Sequence, residues 1–233
     1  MKKYLYFLMM LVCTSFVSCG GSDDDEDSGK KSEVSNPQYV GAWATDLSSN
    51  STAFIFYTDG KCKKIRYYTS YGPQYNAEVK YGYWSYDDKT SILATTADND
   101  QWTITLSNNT SWAGINISNG KTQSFNKTMY PELFLKGLAW SDGKGNTIDF
   151  SNGSSAGLGC WITIANANKV YGNMTIESPT GKGTTIQCKY LLRESNSSTI
   201  ISSGDLTLSN CYDIQQSQLS LSGKLNLKLS VKL

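Results

Sequence analysis

The sequence predicts an all-β protein whose globular part forms two small antiparallel β-barrel or β-sandwich domains, placed after an N-terminal signal and an acidic tether. Three observations predict this fold class. Many short segments alternate apolar and polar residues, as half-buried strands do. Turn-forming pairs such as Asp59-Gly60 and Asn119-Gly120 separate several of these segments. No stretch of useful length shows the period of a helix, and Ser, Thr, Asn, Gly and Tyr are abundant.

The first 18 residues have the features of a cleavable secretion signal. Two lysines follow the initial Met, and an apolar run extends from Tyr4 to Val12. That run is too short to cross a bilayer, which needs about 20 apolar residues. Residues 1–18 are therefore predicted to be removed from the mature chain.

The end of this signal reads Phe16-Val17-Ser18-Cys19 and resembles the lipobox of bacterial lipoproteins. The resemblance implies cleavage before Cys19 and acylation of its thiol. Several acyl chains on one residue anchor far more firmly than one, since each buried CH₂ contributes roughly 0.8 kcal/mol. We therefore expect a lipid anchor at Cys19 that holds the protein on a membrane.

Residues 19–37 form an acidic tether after the signal. The run from Asp23 to Asp27 contains only acids, which repel one another and offer no apolar side chain to bury, so we expect a disordered spacer. A Ser followed by acids just after the lipidated Cys resembles the export signal of surface lipoproteins in the Bacteroidetes. That resemblance implies surface exposure on the cell outer membrane. The alternative is the same anchor facing the periplasm.

The globular part divides near residue 128, where a strand-rich run ends and Pro131 follows. We predict one β domain over 38–128 and a second over 129–233. A weak echo relates the two, because Gly41-Ala42-Trp43 compares with Gly137-Leu138-Ala139-Trp140, and a strand follows each. Duplication of one unit stays open. Strands are predicted at 53–57, 63–69, 78–86, 102–106, 112–117, 147–150, 160–164, 172–177, 184–192 and 205–208.

The last segment gives the cleanest strand pattern. From Leu225 to Leu233 every odd position is aliphatic and every even position is polar. The preceding segment, 219–221, connects to it through Ser222-Gly223-Lys224, which predicts a hairpin. The carboxyl end of the chain is thus expected to lie in a sheet.

The first domain resembles a known family over residues 40 to 125. Gly41-x-Trp43, the strand and turn from Phe54 to Gly60, the run from Tyr81 to Tyr86 and the strand from Trp102 to Leu106 resemble the small lipocalin-like domains of bacterial lipoproteins. The resemblance implies that Trp43 packs in the core and closes one end of a barrel. Small barrels can hold one ligand, but a fold-level likeness does not identify it.

Charge and composition exclude several classes of function. The chain has 21 Lys and Arg against 20 Asp and Glu, a net charge of +1, which provides no electrostatic basis for binding nucleic acid. It has no histidine, so neither a Ser-His-Asp triad nor a His-based zinc site is available. We expect no cofactor, no metal and no enzymatic activity.

Two groups of acids are candidates for catalysis or metal binding. Asp98 and Asp100 are the nearest pair of carboxylates for glycoside hydrolysis, but their surroundings, Ala97-Asp98-Asn99-Asp100, indicate a turn between strands. The segment from Asp142 to Asp149 is spaced like a calcium loop, yet Lys144 stands where an oxygen ligand is needed. A hairpin turn is the preferred interpretation there.

Four cysteines remain in the globular part: Cys62, Cys160, Cys188 and Cys211. An envelope compartment permits disulfides, and four cysteines allow three full pairings. Cys160 and Cys188 both lie on the apolar faces of predicted strands, so buried free thiols are an equal alternative.

The feature that points to binding is tyrosine, eight of which fall between residues 57 and 86. Neighbours on a strand face opposite sides, so Tyr81 and Tyr83 share one face while Trp84 and Tyr86 share the other. If one face is core, the other is an aromatic surface of the kind enriched in recognition sites. The candidate binding residues are Tyr67, Tyr71, Tyr81 and Tyr83.

These observations predict a non-enzymatic surface lipoprotein that binds a glycan or another envelope protein. The alternative is a structural or accessory subunit of an outer-membrane complex, in which the tyrosines are interface or core. An enzyme that acts through Asp98 and Asp100 is the third class of function. For the tyrosines themselves, the alternative interpretation is an aromatic-rich sheet held by cross-strand pairs.

Overall fold

A computed structural model describes residues 36–45, 51–69, 75–151, 158–165, 167–195 and 197–232, with only the main chain at 69, 75 and 76. These residues form two closed antiparallel barrels of eight strands each, and the strands of each barrel are arranged in the order of the sequence. The predicted all-β fold with two barrel domains is confirmed.

The first barrel follows a 3-10 turn at Pro37–Tyr39. Every strand pairs with the next, and the last closes on the first, where Trp43 lies opposite Lys127. Its strands are β1 (Gly41–Ala44), β2 (Thr52–Phe56), β3 (Lys61–Thr69), β4 (Tyr75–Asp87), β5 (Ile92–Thr95), β6 (Gln101–Ser107), β7 (Ser111–Asn116) and β8 (Thr122–Lys127).

The second barrel follows a short helix, α1 (Pro131–Leu135). It closes where Val231 in its last strand lies opposite Trp140 in its first. Its strands are β9 (Ala139–Ser141), β10 (Thr147–Asp149), β11 (Leu158–Thr163), β12 (Val170–Lys182), β13 (Thr185–Glu194), β14 (Ile200–Ser209), β15 (Gln218–Leu221) and β16 (Leu227–Val231).

The interior of the first barrel is packed with aromatic rings. Trp43 is fully buried and its indole N–H donates a hydrogen bond to the carbonyl of Tyr39 at 2.7 Å, while the ammonium of Lys127 lies 5.2 Å from its ring centroid. This places Trp43 in the core, as predicted. The other large buried rings of this cluster are those of Tyr39, Phe54, Phe56, Trp84, Trp102, Trp112 and Phe125.

The interior of the second barrel is mainly aliphatic, and a small polar network lies inside it. The hydroxyl of Tyr190 is 2.8 Å from Ser202 Oγ and donates a hydrogen bond to the carbonyl of Ser222 at 2.6 Å. Because Ser202 is contacted from two sides, the β15–β16 hairpin is held against β13 and β14.

The two barrels share a hydrophobic core along one seam. The outward side chains of β1 to β3, including Ala42, Ile55 and Ile65, belong to the same buried cluster as Leu133 and Phe134 of α1 and the interior of the second barrel. We call this contact the inter-barrel seam. Both barrels accordingly lie within one compact unit, residues 32–233.

The sequence echo falls on corresponding strands. Trp43 and Trp140 are both buried in the first strand of their barrels, and residues 53–57 and 147–150 overlap the second strands, β2 and β10.

In the described part of the chain no helix is long and apolar enough to span a membrane.

Candidate functional site

The tyrosine-rich strand β4 presents different rings to the two sides of the first barrel. Trp84 is buried inside, and Tyr86 packs against the same interior cluster. Tyr81 and Tyr83 point outward, with 47% and 62% of their surfaces exposed. The alternation predicted for this strand is confirmed, and the outward pair forms a surface that we call the tyrosine face.

Tyr83 is held at the backbone while its ring faces outward. Its N–H donates to Thr96 Oγ1 at 2.9 Å, and its carbonyl accepts a hydrogen bond from the N–H of Thr96 at 2.9 Å. On the other side it lies opposite Lys61 in β3, whose ammonium pairs with Asp59 at 3.1 Å. A polar rim of Lys61, Asp59 and Thr96 thus lies beside an exposed aromatic ring.

Tyr81 differs from Tyr83 because its hydroxyl is already engaged. The hydroxyl donates to the carbonyl of Gly137 at 2.8 Å, in the segment that follows α1. Burial of this end of the side chain raises the pKa of Tyr81. Tyr81 therefore keeps part of its surface exposed while its hydroxyl ties β4 to the inter-barrel seam.

Of the other two candidate tyrosines, Tyr67 does not join this surface. Tyr67 faces the same side of the sheet as Tyr81 but packs against the shared core, and burial raises its pKa. The ammonium of Lys136 lies 5.8 Å from the Tyr67 ring centroid. Tyr71 and Cys19 lie outside the described residues.

A buried lysine beneath Tyr81 was missed by the sequence analysis. Lys63 lies opposite Tyr81, is fully buried, and donates hydrogen bonds at 3.0 Å to the carbonyls of Phe134 and Lys136. Burial lowers the pKa of Lys63 to about 7. The Tyr81 hydroxyl donates to the Gly137 carbonyl, so three carbonyls of the segment 134–137 accept hydrogen bonds from side chains of β3 and β4. Nothing in the sequence distinguishes Lys63 from the other basic residues of β3, Lys61, Lys64 and Arg66, and so the sequence did not point to it.

The acid pair considered for catalysis lies on a different side of the first barrel. Lys64 Nζ contacts Asp98 Oδ2 at 2.5 Å and also Asp100, and Lys80 Nζ contacts Asp98 Oδ1 at 2.5 Å. Burial acts to raise the pKa of Asp98, but the hydrogen bonds and charges of Lys64 and Lys80 outweigh it and lower the pKa. A carboxyl held ionised in this way is a poor general acid.

A glycine explains how the acid loop reaches these lysines. A Cβ added at Gly82 would lie 2.6 Å from both the main-chain nitrogen of Ala97 and Thr96 Oγ1. Only a residue without a side chain lets the loop between β5 and β6 pass this close to β4, which brings Asp98 over Lys80. Through these ion pairs, Asp98 and Asp100 hold the β5–β6 loop against β3 and β4.

The loop spaced like a calcium site is a hairpin turn between β9 and β10. Asp142 Oδ1 accepts hydrogen bonds from the N–H groups of Lys144 at 2.7 Å and Asn146 at 3.1 Å, and its other oxygen accepts from the Asn146 side chain. The side-chain hydrogen bond from Asn146 and the one from the Lys144 N–H lower the pKa of Asp142. No metal-binding group of His, Cys, Asp or Glu occurs in the described ranges.

The four cysteines are buried free thiols. Of the two alternatives left open by the sequence, disulfides or free thiols, the structure shows the second. Burial raises the pKa of Cys62, Cys160 and Cys211 to about 12 and that of Cys188 to about 11. Because the thiolate is the reactive form, these thiols are inert at neutral pH.

Two further surface features on the second barrel were not anticipated. Trp161 and Tyr171 lie opposite each other on β11 and β12 with ring centroids 5.0 Å apart, and the Lys169 ammonium sits 4.9 Å from the Trp161 centroid. A shallow depression of about 300 Å³ lies over β14 to β16 and is lined by polar groups that include Asp205 and Asn226. It has no aromatic ring in its lining, which distinguishes it from the tyrosine face.

Comparisons of this chain with protein-family models, with curated proteins and with solved structures find no match.

Proposed function

We propose that this chain is a surface-exposed lipoprotein of the bacterial outer membrane, anchored through lipidated Cys19, that binds a glycan or another envelope protein without catalysing a reaction. The lipobox-like Phe16-Val17-Ser18-Cys19 and the acids that follow it support the anchor and the export. An eight-stranded barrel that carries Gly41-x-Trp43 in its first strand supports a relation of the first domain to lipocalin-like domains.

The observation that carries the binding proposal is the exposure of Tyr81 and Tyr83 on a rigid strand. At two successive outward positions of β4, tyrosine residues leave about half or more of their surface in solvent. Both backbones are held in a closed barrel, so binding would order few groups and lose little entropy. Tyrosine combines a stacking surface with a hydrogen-bonding tip, which suits sugar rings and protein partners alike.

The second candidate is an accessory subunit of an outer-membrane complex. Tyr81 favours it, because its hydroxyl is already bonded to Gly137 and only the ring remains for a partner. A sugar is recognised largely through hydrogen bonds to its hydroxyls, whereas a packed protein interface uses ring surface. Tyr83, with Lys61 and Asp59 beside it, suits the glycan better.

Co-purification tests the binding proposal. A C-terminally tagged chain is recovered from mildly solubilised outer membranes, and its partners and its binding to a glycan panel are measured. We expect Tyr83→Ala to weaken the captured interaction at least tenfold, because the most exposed ring of the face is lost. Tyr130→Ala is the matched control, since Tyr130 is 50% exposed in the connection between the barrels. Unchanged binding by Tyr83→Ala would refute the tyrosine face as the recognition surface.

The anchor is tested separately. Cys19→Ala is expected to abolish incorporation of a labelled fatty acid and to release the protein from the membrane fraction. Protease added to intact cells is expected to degrade the wild-type chain. A chain that keeps its lipid label but resists protease would instead face the periplasm.

A further inference from the structure

The wall of the first barrel that lies away from the inter-barrel seam is almost free of charge. Strands β5 to β8 contain a single charged residue, Lys127, and its ammonium lies over the ring of Trp43. Their inward positions include buried Trp102, Trp112 and Phe125. The alternate positions therefore form the outward surface, and they are Ile92, Ala94, Gln101, Thr103, Leu106, Ser111, Ala113, Ile115, Thr122, Ser124 and Asn126.

Three aliphatic side chains follow one hairpin of this surface. Leu106 lies opposite Ala113, Ile115 lies opposite Thr103, and the N–H of Ile117 donates to the carbonyl of Gln101 at 2.9 Å. Leu106, Ile115 and Ile117 are 58%, 41% and 48% exposed. A row of exposed apolar side chains among uncharged strand residues has the character of an interface core, from which charged residues are depleted. The nearest charge in the β7–β8 turn is that of Lys121.

The second barrel shows that this property is local. Its outward positions carry Glu177 on β12, Lys189 and Arg193 on β13, and Asp205 on β14. Lys189 pairs with Asp205 across two neighbouring strands. Charges of this kind keep a sheet surface solvated and discourage association.

We propose that the outward face of β5 to β8 is the contact surface between two copies of this chain. In a two-fold dimer the same patch meets itself, so a charged patch opposes like charges while an uncharged one does not. Four strands spaced about 4.8 Å apart and about six residues long cover about 400 Å² in projection. A typical stable interface covers about 800 Å² per partner, so the dimer is expected to be weak and reversible. This inference does not depend on the tyrosine face or on Cys19.

Photo-crosslinking of the full chain in cells tests the proposal. A photoreactive phenylalanine analogue replaces Ile115, and the control carries it at Thr175, an exposed position on β12 of the second barrel. We expect an adduct of twice the chain mass, containing this chain alone, from position 115 and not from position 175. Adding Leu106→Glu should reduce that adduct at least tenfold, because each half of the contact would then bury an unpaired charge.

Four outcomes would overturn the proposal. Position 115 could give no self-adduct, or an adduct with a different protein only. Positions 115 and 175 could give equal self-adducts, or a folded Leu106→Glu chain could crosslink as the parent does. Leu106 is largely exposed, so the variant is expected to fold, and its melting temperature verifies this. Thr103→Lys, on the same face, serves as the second variant if Leu106→Glu does not fold.

Discussion

Lys63 makes the stability of this protein depend on pH in a way that one substitution removes. Its side chain is fully buried in the inter-barrel seam, and burial lowers its pKa from 10.5 to about 7. Between these two values the unfolded chain binds a proton that the folded chain does not. Stability therefore rises with pH across this interval, and below pH 7 the penalty for burying the charge is complete.

The size of the effect follows from the same values. Lowering the pKa from 10.5 to about 7 corresponds to about 5 kcal/mol, since one pKa unit is about 1.36 kcal/mol. Within the practical range from pH 6 to pH 9, the free energy of unfolding should rise by about 2.5 kcal/mol from this group. A neutral amine still has two N–H bonds, which matches the two carbonyls of Phe134 and Lys136.

Lys63→Met is expected to remove this dependence. At pH 6 the apolar side chain relieves the burial of a charge, whereas at pH 9 it leaves two buried carbonyls without their donor, at about 1–3 kcal/mol each. The difference between wild type and variant should thus change by about 2.5 kcal/mol from pH 6 to pH 9. Lys136 also faces the seam with a pKa lowered by burial and partly restored by Glu132, but it is present in both chains and cancels.

The assay is urea unfolding followed by tryptophan fluorescence at pH 6, 7, 8 and 9. Lys61→Met is the matched control, since Lys61 lies on the same strand but its side chain is 36% exposed and paired with Asp59. Its curve should run parallel to that of the wild type. If the Lys63→Met and wild-type free energies also stay parallel within about 0.5 kcal/mol, the reasoning about the buried amine is wrong.

Two further predictions rest on packing. A thiol reagent at pH 8 should leave Cys62, Cys160, Cys188 and Cys211 unlabelled in the folded chain and label all four after denaturation, because burial raises their pKa values to between about 11 and 12; fast labelling before unfolding would contradict the buried placement. Gly223→Ala should cost more than 2 kcal/mol, on the order of a severe core substitution, because its Cβ would lie 2.0 Å from the carbonyl oxygen of Ser203 at a φ of +88°. Gly183→Ala is the control, because Gly183 has a φ of +61° but no atom lies within 4 Å of an added Cβ, and it should cost only about 1 kcal/mol. Equal melting temperatures of the two variants would show that Gly223 does not approach Ser203 closely.

Alternation was enough to predict most strands, including the short β10 and β15, but β1, β5, β8 and β9 were not predicted. The segments predicted at 63–69, 102–106 and 184–192 correspond to β3, β6 and β13. In β13 the alternation matches burial most clearly, because Ile186, Cys188, Tyr190 and Leu192 are all buried. Strands β5 and β9 have only four and three residues, too few to establish a period of two. The helix α1 was not predicted either, because its five residues make little more than one turn.

The tyrosines show where sequence reasoning about the site reaches its limit. Alternation along β4 was enough to place Tyr81 and Tyr83 together and Trp84 on the opposite side. It did not show that Tyr67, on the same face of the sheet, would be covered. That depends on the second barrel packing over one end of β3 and β4, a contact between residues far apart in the chain.

What the sequence by itself determined is therefore everything that depends on neighbours along the chain: strand faces, turns and the all-β class. Only the tertiary structure decided which outward faces of the strands remain exposed to solvent. Barrel closure and the shared core brought Lys63 beneath the carbonyls of Phe134 and Lys136, and Asp98 between two lysines. Among the residues that the structure describes, no segment covers the uncharged wall of β5 to β8. The physical reason is that burial is set by contacts across the fold, and these carry no local signature in the order of the residues.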